Sequence, residues 1–461
     1  MVQTTKPPEE KAASAVKDWT KGNIVHNILL LSWPMILLGA LYSGNLILEM
    51  IWVGKLGAAP IAGVGVAGFI VLLVIQVKSG LGIGERAMIA RFVGAGDTFM
   101  ANHIAGQAFI IATVYSIIVA IIGLVFTEPI FSLYELEPDA LAEGTAYLRI
   151  VLTGWITEAF WITSFSIMQA SGDSVTPLKV AVAIRVVNAI ICPFLVLGWW
   201  GFPRLGVTGA AITYIIATGM GMVICLWVLF TGHTRLKLSL KDFRPDLYII
   251  LRILKIGIPA SFTGLGKSFG DLVMTWFMIP FGTLALAAHN LIARIETFLN
   301  TPGMGLGTGT SVLVGQNMGA DQPGRAAKSG WLALGVVEGF MALCSIILLV
   351  WAESVIGIFN VEPDLVKLGA LFLRIAVLGY LGMAVIYVMQ NCISGAGDTL
   401  PPMMITLASL WIVQIPLALI LSRYTGLDAY GVRWAIVIGY TVGAIVYIVY
   451  FQRGRWQRKK V

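Results

Sequence analysis

The chain has 461 residues, of which 58% are hydrophobic and 12% charged, and a formal net charge of +7. A soluble domain carries about 25% charged residues, so this composition excludes an ordinary water-soluble fold and requires a bilayer as solvent. The positive balance gathers in short loops beside apolar segments, which argues against nucleic acid as a partner.

Residues 1–27 are polar and carry Lys6, Lys11, Lys17 and Lys21. They contain no apolar h-region or small-residue cleavage pattern, and so read as a cytoplasmic segment, not a signal peptide. About 20 apolar residues cross a bilayer. In the first half the predicted spans are 28–53, 61–84, 101–127, 141–169, 175–200 and 206–231. In the second half they are 249–279, 285–310, 327–352, 366–393, 401–422 and 431–451. These runs are continuous and lack a period of two, which excludes a transmembrane barrel. The predicted fold is therefore an all-α polytopic membrane protein with twelve helices. Its parts are an N-lobe over 28–231, a cytoplasmic linker over 232–248, a C-lobe over 249–452 and a basic tail over 453–461.

Lys and Arg in the loops set orientation. Arg86, Arg91, Arg235, Lys237, Lys241, Arg244, Arg325 and Lys328 fall on the side of both termini. The opposite side carries Glu128, Asp139, Glu143, Glu353 and Asp364. Both termini are expected in the cytoplasm, with the protein in the plasma membrane.

The two halves repeat. Glu137-Pro138-Asp139 returns as Glu362-Pro363-Asp364, Leu148-Arg149-Ile150 as Leu373-Arg374-Ile375, Gly172-Asp173 as Gly397-Asp398, and Pro34 as Pro259. The offset is constant. Six spans per half is an even number, so the halves share an orientation and form the parallel kind of repeat. Two pseudo-symmetric six-helix bundles, a 6+6 arrangement, are expected to work by alternating access.

Ionisable groups inside spans cost about 2.5–3.5 kcal/mol each and are read as functional. Glu49 lies deep in the first span, with Asn45 and Tyr42 on the same helix face. Glu158 lies mid-span in the fourth helix and Asn188 in the fifth, so Glu158 is a second candidate carboxylate, against an interhelical bond as the alternative. Lys78 is expected to pair with Glu49 or Glu158, and Arg185 adds positive charge on the same side. Lys267 and Asp271, one turn apart on the seventh helix, are expected to neutralise each other, or to leave Lys267 for a substrate anion. Pro34 and Pro259 interrupt their helices symmetrically and are candidate bending points. His289 reads as structural. Cys192, Cys225, Cys344 and Cys392 form no metal-ligand or disulfide pattern, and no catalytic triad, metal cluster or nucleotide motif indicates an enzyme or a cofactor.

The run Leu313-Val314-Gly315-Gln316-Asn317-Met318-Gly319-Ala320, after Ala293-Arg294-Ile295-Glu296, resembles the second-half signature of multidrug and toxic compound extrusion (MATE) transporters, especially their DinF-like branch. Trp52-Val53-Gly54-Lys55-Leu56-Gly57, Gly94-Ala95-Gly96-Asp97, Gly395-Ala396-Gly397-Asp398 and Gly206-Val207-Thr208-Gly209 are similar to further motifs of that family. The resemblance implies a V-shaped pair of lobes and a monomer that exports cationic or amphipathic compounds against H⁺ or Na⁺. It places Glu49 at the branch's coupling acid. The chain departs from the branch where Cys192 replaces a fifth-helix aspartate and Tyr214 a sixth-helix threonine. It also has Lys267 and Met383 where other branches have C-lobe acids, so their cation site is expected to be absent. The competing reading is a flippase for lipids or lipid-linked saccharides of the wider superfamily.

Overall fold

The computed structural model describes residues 17–134 and 137–459, and for residues 42–50 the backbone alone. Among the described residues there is no strand. The first half contains α1 (Ile24–Gly54), α2 (Ala58–Gly94), α3 (Thr98–Val125), α4, α5 (Val175–Leu197) and α6 (Gly206–Thr231). Helix α4 is broken into Pro138–Thr153 and Ile156–Ser171, which bend by 51°. The second half contains α7 (Leu247–Met278), α8 (Gly282–Gly319), α9 (Pro323–Val350), α10 (Pro363–Gly395), α11 (Leu400–Tyr424) and α12 (Asp428–Gln452). Only the 3-10 turn Ile279–Phe281 separates α7 from α8. The twelve expected spans are present.

The repeat is visible in local structure. Both α3 and α9 run for 28 residues. Each is followed by a six-residue helix, Thr127–Ser132 in the first half and Ala352–Gly357 in the second. The ion pair of Arg149 with Glu128 at 2.7 Å returns as Arg374 with Glu353 at 3.3 Å. Before α3 the chain turns at Gly96, φ +80; at the same point before α9 stands Asp321, φ 56. An aspartate tolerates this left-handed backbone better than most side chains.

The chain forms two compact units, but their borders are not in the linker. Of the described residues, one contains 17–19 and those of Leu37–Gly257; the other contains Thr20–Ile36 and 258–459. The opening of α1 thus packs with the second half and the opening of α7 with the first, where the expected lobe boundaries were 28 and 249. Close backbone approach explains both placements. A Cβ on Gly257 would lie 2.8 Å from the Leu81 Cα of α2, and one on Gly305 of α8 would lie 2.7 Å from the Ile36 nitrogen of α1. Glycine removes the side chain that would hold the helices apart.

In the first unit α2 packs on α4, and α5 on α6. Their shared core holds Phe131, Leu148, Val151, Trp155 and Cys192. In the second unit α10 is central, packed by α8, α9 and α12. The outer face of α3 exposes Val114, Ile117, Ile118, Ile121 and Leu124, as a lipid-facing helix must. The linker is ordered against α3. Gln107 donates to the carbonyls of Asp242 (3.1 Å) and Arg244 (2.9 Å) and accepts from the Asp246 amide at 2.9 Å.

Candidate functional site

Each unit buries its own set of acids and bases. In the first unit Glu158, on the second segment of α4, is 4% exposed. It is hydrogen-bonded to the Tyr214 hydroxyl of α6, and the charge of Arg185 on α5 acts on it. One turn beyond Tyr214, the two helices are also joined by Thr157 and Thr218, whose hydroxyls are 2.8 Å apart. Asn188 is buried on α5, one turn beyond Arg185. Of the residues expected in this lobe, Glu158 and Tyr214 are therefore brought together, with Asn188 on the adjoining helix. Cys192, the position of the missing aspartate, lies in the apolar core. Tyr42, Asn45 and Glu49 lie on α1, but their side chains fall outside the described residues.

Lys78 does not pair with Glu158. Its ammonium donates to Glu85, two turns along α2, at 2.7 Å, with both side chains fully buried. Sequence reasoning missed Glu85 because the predicted span stopped at residue 84, whereas α2 continues to Gly94. The charges of Glu85 and Arg86 read as the end of a span; in the structure they are absorbed by Lys78 and by Gln169, which accepts from Arg86 at 3.2 Å.

In the second unit the expected Lys267–Asp271 pairing is not a contact. Lys267 donates to the Tyr387 hydroxyl of α10 at 3.3 Å, and its ammonium sits 4.4 Å from that ring's centre. This is cation–π geometry. The two charges still act on each other, and Asp271 is exposed. A largely buried acid–base pair of this unit is a different one. Arg433 of α12, 1% exposed, donates to Glu296 of α8 at 3.3 Å and to the His289 carbonyl at 3.0 Å. The charges of Asp271, Glu296 and Arg433 all act on Tyr440, and those of Glu296 and Arg433 on Tyr380. Arg433 and the tyrosines were missed: Arg433 opens its predicted span and looks like an end charge. Tyr380 and Tyr387, seven residues apart on one helix, are the signal that was available.

Two candidate bending residues sit where the chain passes from one unit to the other. Pro34 lies just before the change at Ile36–Leu37, and Pro259 just after the change at Gly257–Ile258.

With this geometry in place, similarity to known proteins is informative. A profile of the family described as MatE matches the chain twice, over residues 34–194 and 259–420. The starts of the two matches are displaced by the same offset as the internal repeat. A probable multidrug resistance protein, YoeA of Bacillus subtilis (strain 168), is 23% identical over 448 residues, covering 96% of each chain. The probable multidrug resistance protein NorM of Thermotoga maritima is 24% identical over 413 residues, covering 89% of this chain and 88% of that one. A solved structure of a MOP superfamily transporter from Pyrococcus furiosus Vc1 (DSM3638), for which reversed polarity of the binding pocket was taken to suggest a different function, is 22% identical with a TM-score of 0.88. It covers 96% of this chain and 98% of its own.

Proposed function

Because the chain belongs to the MatE family of membrane transporters, we propose that it is a secondary antiporter. It exports organic cationic or amphipathic compounds by alternating access, driven by entry of H⁺ or Na⁺. The observation that carries this reading is Glu158: a buried carboxylate whose hydroxyl donor, Tyr214, and counter-charge, Arg185, come from two other helices. Neutralising Glu158 by a proton, or drawing it toward Na⁺, removes the reason for α4, α5 and α6 to hold that arrangement. A change of ligand state thereby becomes a change of packing. Glu49 is the second coupling acid, by its place in the first helix. Pro34 and Pro259 supply the bends, since each removes a helix hydrogen bond where the chain changes unit. The protein acts as a monomer in the plasma membrane with both termini in the cytoplasm.

The test is efflux of a lipophilic cation, ethidium, from liposomes holding the purified chain under imposed pH or Na⁺ gradients. Gradient-driven efflux is expected in the wild type and its loss in Glu158→Gln and Glu49→Gln. Undiminished gradient dependence in both variants overturns the coupling role.

A flippase for anionic lipids is the second reading. It is favoured by Lys267, whose partner is a neutral tyrosine rather than a carboxylate, and by the reversed pocket polarity described for the Pyrococcus protein. Gradient-independent transfer of a fluorescent anionic lipid between leaflets, without ethidium efflux, would favour it.

A further inference from the structure

The first turns of α11, the last turns of α12 and the C-terminal tail frame a feature outside the sites described above. A groove of about 260 Å³ is lined by Pro401, Met404 and Ile405 of α11 and by Val446, Val449 and Tyr450 of α12, with Arg453 at its end. Met404 is 61% exposed, so the groove opens outward between two membrane-spanning helices.

The rim is built. At Gly454, φ +66, the backbone leaves α12 and folds back as the short turn Arg455–Arg458. Trp456 is buried, stacked 4.8 Å from Phe451, and donates to the Phe451 carbonyl at 3.1 Å. Beyond the turn, Lys459 pairs with Asp398 at 2.9 Å, and Tyr450 donates to the same carboxylate at 2.7 Å. Asp398, the acid of the Gly-Ala-Gly-Asp motif, is thus occupied in fastening the tail. Arg453, which lines the groove, and Arg455 just beyond it are both exposed, as is Arg458 further along the tail. Arg455 lies close enough to Tyr450 for its charge to act on that hydroxyl.

The first half has no equivalent. At the repeat offset Arg453 corresponds to Val228, Arg455 to Phe230 and Val446 to Gly221. At Gly221 a Cβ would already collide with Ile184 and lie 3.2 Å from Trp161. An apolar trough ending in two guanidinium groups at the mouth of a span matches a phospholipid with a negative headgroup: chain in the trough, phosphate on the arginines. We propose that the α11–α12 groove with Arg453 and Arg455 is a binding site for an anionic phospholipid of the leaflet on the side of the C-terminal tail.

The test uses the full purified chain in dodecylmaltoside micelles, with thermal unfolding followed while phosphatidylglycerol or phosphatidylcholine is titrated in. Phosphatidylglycerol is expected to raise Tm at far lower mole ratio than phosphatidylcholine. Each arginine near an anionic headgroup contributes about fivefold in affinity. Arg455→Gln, at an exposed position beyond the helix that leaves the fold intact, should therefore raise the half-saturating phosphatidylglycerol ratio about fivefold, and Arg453→Gln/Arg455→Gln roughly thirtyfold. Met404→Trp, which fills the trough, should abolish the preference, while Arg235→Gln/Lys237→Gln, in the linker of the other unit, should keep it. Equal curves for the two lipids overturn the proposal, as does an unchanged midpoint in Arg455→Gln. Displacement of the effect by inorganic phosphate also overturns it, since that would mark a phosphate site with no role for the groove.

Discussion

Glu85 and Lys78 share one helix and one hydrogen bond, and both side chains are fully buried. Breaking such a pair strands a charge in a low-dielectric interior, at a cost of about 3–5 kcal/mol, whereas replacing both partners with apolar groups of similar size is close to neutral. Glu85→Gln is therefore expected to lower the thermal stability of the purified protein sharply, and Lys78→Met/Glu85→Leu to restore most of it; a double-mutant cycle on Tm reads the difference. The same reasoning applies to Arg433, whose loss would leave Glu296 and the His289 carbonyl without their shared donor. Arg433→Met should destabilise more than Lys267→Met, because Lys267 gives up a ring contact and one hydroxyl bond rather than an ion pair. Which acid each buried base would choose was not legible in the sequence. Hydropathy locates a charge within a span but not the face it turns to or the helix across from it, so Lys78 was matched to the wrong carboxylates and Arg433 to none.

At the level of the helix, Asp246 shows how a single side chain sets a start. Its carboxylate accepts from the amides of Tyr248 (3.0 Å) and Ile249 (3.2 Å) at the opening of α7 and lies 3.4 Å from His103. The amide of Ile249 is the main reason its pKa lies below the ordinary 3.8, with His103 and Tyr248 adding to it. A depressed carboxylate stabilises the folded form above 3.8, and that contribution fades as pH falls through the lower folded value. Protection factors for the Tyr248 and Ile249 amides should therefore fall on acidification below about pH 4 in the wild type. In Asp246→Ala they should be low throughout, without that acid step. Helix number and order were open to reading because each span is a long apolar run and each loop a cluster of turn residues. Ends were less so. Helix α2 continues past Glu85, and α8 carries on through Gln316 and Asn317 to Gly319, because these polar side chains are buried. The 51° break in α4 was not foreseen either: the run from Tyr147 to Met168 is apolar on both sides of Gly154.

Across the whole chain the duplication was the clearest message, and helices, short caps and the Arg149 and Arg374 ion pairs all keep its offset. The borders of the two units were hidden, since α1 and α7 have the hydropathy of any other span and nothing in a single helix records which neighbours it joins. If the prolines at those borders are the bending points of transport, Pro34→Ala and Pro259→Ala should slow gradient-driven efflux severalfold while leaving Tm unchanged or higher, because the helix regains a hydrogen bond. Full-speed transport in the double variant would show that the bends are static. The borders also bear on how the protein is made. Thr20–Ile36 leaves the ribosome long before the rest of its unit, and the helix whose glycines receive it, α8, is made only from residue 282 onward. During most of synthesis this segment must wait in the membrane without its final neighbours. A chain halted within the linker would hold an intact leading half that cannot finish packing, so co-expressing the halves, rather than either alone, is the route by which a divided gene could still yield the folded protein.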